Sequence, residues 1–135
     1  MIINWGIIKA CTLVDKQEVY GKIETFMKVA VESLSFGIIA FINEMKRETD
    51  MFYRVGYKLL VSGSSPKNIN QILQNLLNSS EITPVDYLKK VIFIDYILRV
   101  QRGENVNDIK LVLISYLGDD YANHIIEPIP TMPFF

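Results

Sequence analysis

Apolar residues recur at three- and four-residue spacing along most of this chain, so the predicted elements are helices. From Lys22 the pattern runs unbroken to Glu48 through Phe26, Val29, Ala30, Ser33, Leu34, Gly37, Ala40 and Phe41. Between Ser33 and Ile42 the apolar character spreads beyond one stripe, which predicts a helix buried on most sides. Gly37 and Ala40 are small enough there to admit a neighbouring helix. Lys46 to Glu48 mark its solvated end, and Thr49 and Asp50 can cap the next helix. Before Lys22 the picture is looser. Met1 to Val14 reads as a short first helix or an arm on the domain, and Asp15 to Gly21 as a connector or exposed helical turn.

The stretch Phe52 to Ser80 reads as a helical hairpin, and the rest of the chain is expected to organise around it. Phe52, Val55, Leu59 and Leu60 give its first helix a greasy face, and Gly63 stops it. Ser65 caps the second helix and Pro66 fits its first turn, where a missing N–H costs nothing. Its buried stripe is Ile69, Ile72, Leu73, Leu76 and Leu77. Thr83, Pro84 and Asp86 then begin another helix, carried by Val85, Leu88, Val91, Ile92, Ile94, Ile97 and Leu98 and ending between Arg99 and Gly103. Arg99 and Arg102 at that end complement the helix dipole. Asn105 with Asp108 caps a last helix, which stops at Gly118.

Setting Gly63 on Gly103, an offset of 40, aligns Ile69 with Ile109, Ile72 with Val112, Leu73 with Leu113 and Leu77 with Leu117. This predicts two similar helical hairpins packed against the Lys22–Glu48 helix. The segment from Tyr121 cannot continue as regular helix past Glu127, because Pro128, Pro130 and Pro133 follow in succession. The predicted fold is therefore all-α: one compact domain of about five helices over residues 1–120, then an extended Pro-rich tail over 121–135. The tail ends in Met132, Phe134 and Phe135, either folding back over the core or docking on a partner.

Composition narrows the function classes. With 135 residues and 50% hydrophobic content the chain can close one proper core, and it carries apolar surface beyond what that core needs. Fourteen basic against fifteen acidic residues, dispersed along the chain, give no stripe for nucleic acid. No run approaches the ~20 apolar residues of a membrane span, and MIINWGII lacks the basic start of a signal peptide. These readings lead to the expectation of a cytoplasmic protein, peripheral to a membrane if it works at one.

Chemistry is sparse. Cys11 is the single cysteine, which excludes an internal disulfide and a thiolate metal cage, and its apolar neighbours mark it as buried. His124 is the single histidine, with no orienting group indicated for a Cys–His pair. Asp119-Asp120 reads as a solvated turn, and Glu44 with Glu48 lacks the Glu-x-x-His partners of a di-metal bundle. The glycines show no phosphate-binding spacing. No enzyme activity and no cofactor are expected.

One stretch resembles a known family. A-x-x-S-x-x-x-G-I-I-A-F from Ala30 to Phe41 precedes F-x-x-x-G-x-x-L-L-V-S-G-S-S-P-x-x-I-x-x-I-L from Phe52 to Leu73. Together they are similar to the cytoplasmic helical segment of the MotA family, the ion-driven flagellar stator subunit. The likeness covers about a third of the chain and lies in the ordered spacing from Gly37 through Gly56 and Gly63 to Ile72. It implies a scaffold or motor component at the inner face of the cytoplasmic membrane, with flagellar motor proteins as partners. The family's flanking membrane helices have no counterpart here, and Leu34 and Ile42 stand where it carries its rotor-contacting arginine and acid. Those replacements lead to the expectation that this face is buried, against the Val85–Gly103 helix or another protein.

The reading from sequence is thus a non-catalytic scaffold or interaction protein, self-associating or part of a larger assembly. Candidate contact residues are Arg99, Arg102, Met132, Phe134 and Phe135. Two rivals remain open: a helical adaptor or regulator unrelated to motility, and a small-ligand binder with a pocket lined by Phe36, Phe41, Phe52 and Tyr57.

Overall fold

A computed structural model describes residues 1–125, and within them the chain is all-helical. The order is α1 (Trp5–Lys9), α2 (Leu13–Phe36), α3 (Ile38–Arg47), α4 (Met51–Val61), α5 (Pro66–Asn78), α6 (Pro84–Gln101), α7 (Val106–Ser115) and α8 (Asp119–Ile125). The start signals read from the sequence are used as such. Ser65 and Thr83 accept from the backbone N–H groups of Asn68 and Asp86, each with proline in the first helical turn. Asp50 accepts from the Phe52 N–H at the head of α4.

About five helices become eight among the described residues, for three local reasons. Asn4 accepts from the Ile7 N–H and starts the short α1. Thr12 and Asp15 form a reciprocal capping box, so residues 15–21, expected as a connector, lie inside α2. The expected continuous Lys22–Glu48 helix breaks at Gly37, whose φ of 64° and ψ of −144° only glycine adopts readily. Nothing lies within 4 Å of a Cβ built there, so Gly37 serves backbone direction and not the close helix approach expected of it. After this turn α3 folds back along α2, and Lys22 Nζ comes within 3.7 Å of Glu48. At the C-terminus, residues 121–125 continue α8 as helix where the tail was set to begin, and residues 126–135 lie outside the described part.

The Phe52–Ser80 hairpin forms, but the centre of the molecule is α6, which contacts α1, α2, α4, α5 and α7. Its consecutive Val91, Ile92, Phe93 and Ile94 are fully buried, so it is apolar around its circumference and can be covered on every side. Around Phe93 the rings of Phe26, Phe52, Tyr53, Tyr57 and Tyr96 pack with centroids 4.8–5.9 Å away. Helix α4 reaches this cluster because Gly56 carries no side chain: a Cβ there would sit 2.2 Å from Phe93 Cε2.

The offset-40 repeat is a structural one. After α4, Gly63 and Ser64 donate to the Leu60 and Leu59 carbonyls; after α6, Gly103 and Glu104 donate to those of Val100 and Arg99. Both glycines have φ of 72°. Ile69 with Ile109, Leu73 with Leu113 and Leu77 with Leu117 are buried in equivalent positions, while Ile72 lies at the margin of its stripe, partly exposed.

Candidate functional site

Helices α2–α3, α4–α5 and α6–α7 form three pairs, turning at Gly37, Gly63 and Gly103. The three turns meet at one end of the bundle. Gly37, Ile38 and Phe41 line a hollow of about 340 Å³ together with Leu60, Gly63 and Val100. Ser33 and Leu34 face Gly103 and Val106 across a smaller neighbouring hollow. Gln101 ties two turns together by donating from Nε2 to the Ser64 carbonyl. The first helix packs against α6, with the Asn4 N–H donating to the Tyr87 hydroxyl and Trp5 stacked on Tyr116 at 5.9 Å.

The α2–α3 turn is the most apolar exposed surface on this end. Burial along α2 ends at Ala30 and resumes in α3 at Ala40, with no buried residue between them. Leu34 is 71% exposed, Phe36 68%, Ile39 57% and Ile38 50%, with Val31 beside them. Scattered exposed apolar residues are ordinary; here five of them fall within nine residues of the chain, from Val31 to Ile39. The stretch expected to be buried is instead exposed at the turn between α2 and α3. Leu34, expected to be covered because it replaces a charge, points outward, while Ile42 is half-buried. Residues 26, 30, 33, 37, 40, 41 and 44 keep helical spacing straight across the break, so periodicity conceals it. The one available signal was glycine itself, followed at once by two β-branched residues, in the middle of a long helical pattern.

Of the residues singled out from sequence, Arg99 and Arg102 are held in an internal network. Arg99 bonds Asp95 at 2.7 Å and Glu104 at 2.8 Å, Arg102 bonds Glu104 at 2.7 Å, and the Tyr116 hydroxyl donates to Asp95 at 2.7 Å. Burial works against the charge on Arg99, but its bonds to Glu104 and Asp95 outweigh this and raise its pKa. The same arginines hold the Glu104 carboxyl below the usual range. The network locks the α6–α7 turn and engages both guanidinium groups within the chain. Met132, Phe134 and Phe135 lie outside the described residues. Of the four aromatics weighed as a ligand pocket, Phe41, Phe52 and Tyr57 are buried in the interior, and Phe36 projects from the tip.

Several of the residues weighed for chemistry take up structural positions. Cys11 is buried, which pushes its thiol pKa up and away from reactivity. Glu44 accepts two bonds from Arg47, and Glu48, raised by burial despite Lys22 beside it, faces α2. Asp119 and Asp120 occupy the first turn of α8, where acids suit the helix dipole. Among the described residues no cluster of three His, Cys, Asp or Glu side chains could hold a metal ion. A further open trough of about 540 Å³ runs along α3 and α4, with Met45, Met51 and Val55 as its apolar wall and Arg54 and Lys58 at its rim. No described helix is long and apolar enough to cross a membrane. No protein-family model matches the chain, and no significant match was found among curated proteins or solved structures.

Proposed function

We propose that this protein is a non-catalytic helical interaction protein, docking through the exposed α2–α3 turn and working as a scaffold or adaptor inside a larger assembly. The observation that carries this reading is the stretch from Val31 to Ile39, which contains no buried residue yet presents Leu34, Phe36, Ile38 and Ile39 at half exposure or more. Fully covering such a side chain is worth ~1.5–3 kcal/mol, and water is a poor final environment for four of them around one turn. The neighbouring Arg99, Arg102 and Glu104 are engaged with one another, so recognition through the turn would be by shape and apolar contact.

A narrower form of the proposal places that assembly in a flagellar motor at the cytoplasmic membrane face. It rests on the likeness of the Ala30–Leu77 stretch to the MotA stator segment. The exposure of Leu34 favours it to this extent: the residue standing at the family's rotor-contacting arginine is on the surface, so an apolar contact would replace a charged one.

The test is affinity capture from the native cell with wild type and with Leu34→Asp/Phe36→Asp, a pair of exposed positions whose replacement leaves the core intact. Loss of captured partners by the variant is the expected result, and equal recovery overturns docking through this turn. Motor proteins among the partners lost would support the narrower form; partners without any motor component would leave the adaptor form alone.

A further inference from the structure

A second surface, with chemistry of its own, lies at the far end of α3 from Gly37. Met51, Arg54, Val55 and Lys58 fall at i, i+3, i+4 and i+7, so they share one face of α4. With Met45 of α3 and Thr49 of the connecting loop they line the open trough of about 540 Å³. The lining is apolar at Met45, Met51 and Val55 and cationic at Arg54 and Lys58. Neither of these cations is in an ion pair among the described residues. The acids of the loop beside them are engaged elsewhere: Glu48 pairs with Lys22 at 3.7 Å and Asp50 with Lys90 at 3.6 Å. From this face we infer that the α3–α4 trough binds an acidic amphipathic helix of a partner protein, its carboxylates on Arg54 and Lys58 and its apolar side chains on Met45, Met51 and Val55.

Charge complementarity and spacing select this occupant. Arg54 and Lys58 are separated by about 6 Å of helical rise, and carboxylates at i and i+4 of a facing helix have the same separation. A groove between two packed helices takes a third helix lengthwise, apolar face inward. Methionines suit such a groove because their unbranched side chains adapt to differing partners. A fatty acid or similar small amphiphile fits less well, since such ligands are held where most of their surface is covered, and this trough is open. A flat bilayer would reach the exposed Met51 but not the half-buried Met45 and Val55. The trough shares no residue with the α2–α3 turn, so the inference stands apart from docking through that turn.

Peptide display on the full chain tests this. Peptides selected on wild type should carry Asp or Glu one helical turn apart beside Leu, Met or Phe, and should bind Leu34→Asp/Phe36→Asp equally well. Arg54→Gln/Lys58→Gln, at two exposed positions, should weaken them about 3- to 30-fold with an unchanged helical spectrum. Rising salt should shrink that difference. Arg54→Glu/Lys58→Glu should lose the acidic peptides and gain their lysine-for-glutamate counterparts, an exchange that an unfolded variant would not show. Selection without acidic preference, acidic peptides that bind the glutamine variant as tightly as wild type, or their loss in the turn variant instead would overturn the inference. Sedimentation of wild type, but not of the glutamine variant, with phosphatidylglycerol vesicles and no peptide selected would overturn it in favour of a lipid surface. A photoreactive side chain at position 51 that links to residues 126–135 of its own chain would overturn it in favour of that segment.

Discussion

Two glycines show how differently the same residue can be required. At Gly56 the constraint is space: a Cβ would meet Phe93 Cε2 at 2.2 Å and Cζ at 2.6 Å, and that ring is fully buried among other rings. Alanine would gain helix propensity, about 1 kcal/mol, yet force α4 away from α6. Gly56→Ala is therefore expected to destabilise by ~1–3 kcal/mol net, read from denaturant unfolding. At Gly37 the constraint is the backbone, because φ of 64° with ψ of −144° falls where side-chain-bearing residues are strained. Gly37→Ala should cost ~1–3 kcal/mol although its surroundings are empty. At Glu104 the bonds to Arg102 and Arg99 lower the folded pKa below that of the unfolded chain. Its stabilising effect is then fully present above the unfolded pKa and lost as pH falls through the folded one. Wild type and Glu104→Gln should therefore differ at neutral pH and converge under acid, as followed by thermal melts across pH. The Gly37 and Gly63 stops are local matters of backbone, whereas the Gly56 clash depends on Phe93, thirty-seven residues away, and nothing in either local sequence announces the pair.

Among the elements, the helix ends were the most legible and the helix interiors the least. A cap is decided by a few adjacent residues: Ser65 serves the Asn68 N–H, and Asn105 serves those of Asn107 and Asp108. Ser65→Ala and Asn105→Ala should each cost ~1 kcal/mol, and their effects should add, since the two caps share no partner. Equilibrium unfolding of both single variants and the double checks this. Which face an element buries is another matter. The Ser33–Ile42 stretch is as apolar as a core helix, but it turns at Gly37 at the end of the bundle, where Leu34 to Ile39 are left in water. Helix α6, by contrast, takes the central place because five neighbours converge on it.

For the molecule as a whole, the arrangement separates stability from contact. The core clusters around Phe93, whereas the exposed apolar residues of the turn touch little of it. Leu34→Asp/Phe36→Asp should accordingly leave the thermal midpoint within a few degrees of wild type while removing the partner capture proposed for this turn. A substitution in the interior such as Leu73→Ala should do the reverse of that first outcome, costing ~2–5 kcal/mol because Leu73 is fully buried. Measuring melting and partner capture together on these variants distinguishes a contact surface from a structural one.

By itself the sequence determined the all-α class, the starts and stops of α4 to α7, the repeat at an offset of 40 and the burial of Cys11. These follow from interactions within about one helical turn, which neighbouring residues settle among themselves. Only the tertiary structure decided that α6 is central, that α2 and α3 are two helices turned back on each other, and that Leu34 to Ile39 face water. The physical reason is that hydrophobic burial has no direction along the chain: an apolar stripe states that it should be covered, while the lengths and positions of its neighbours settle whether it is.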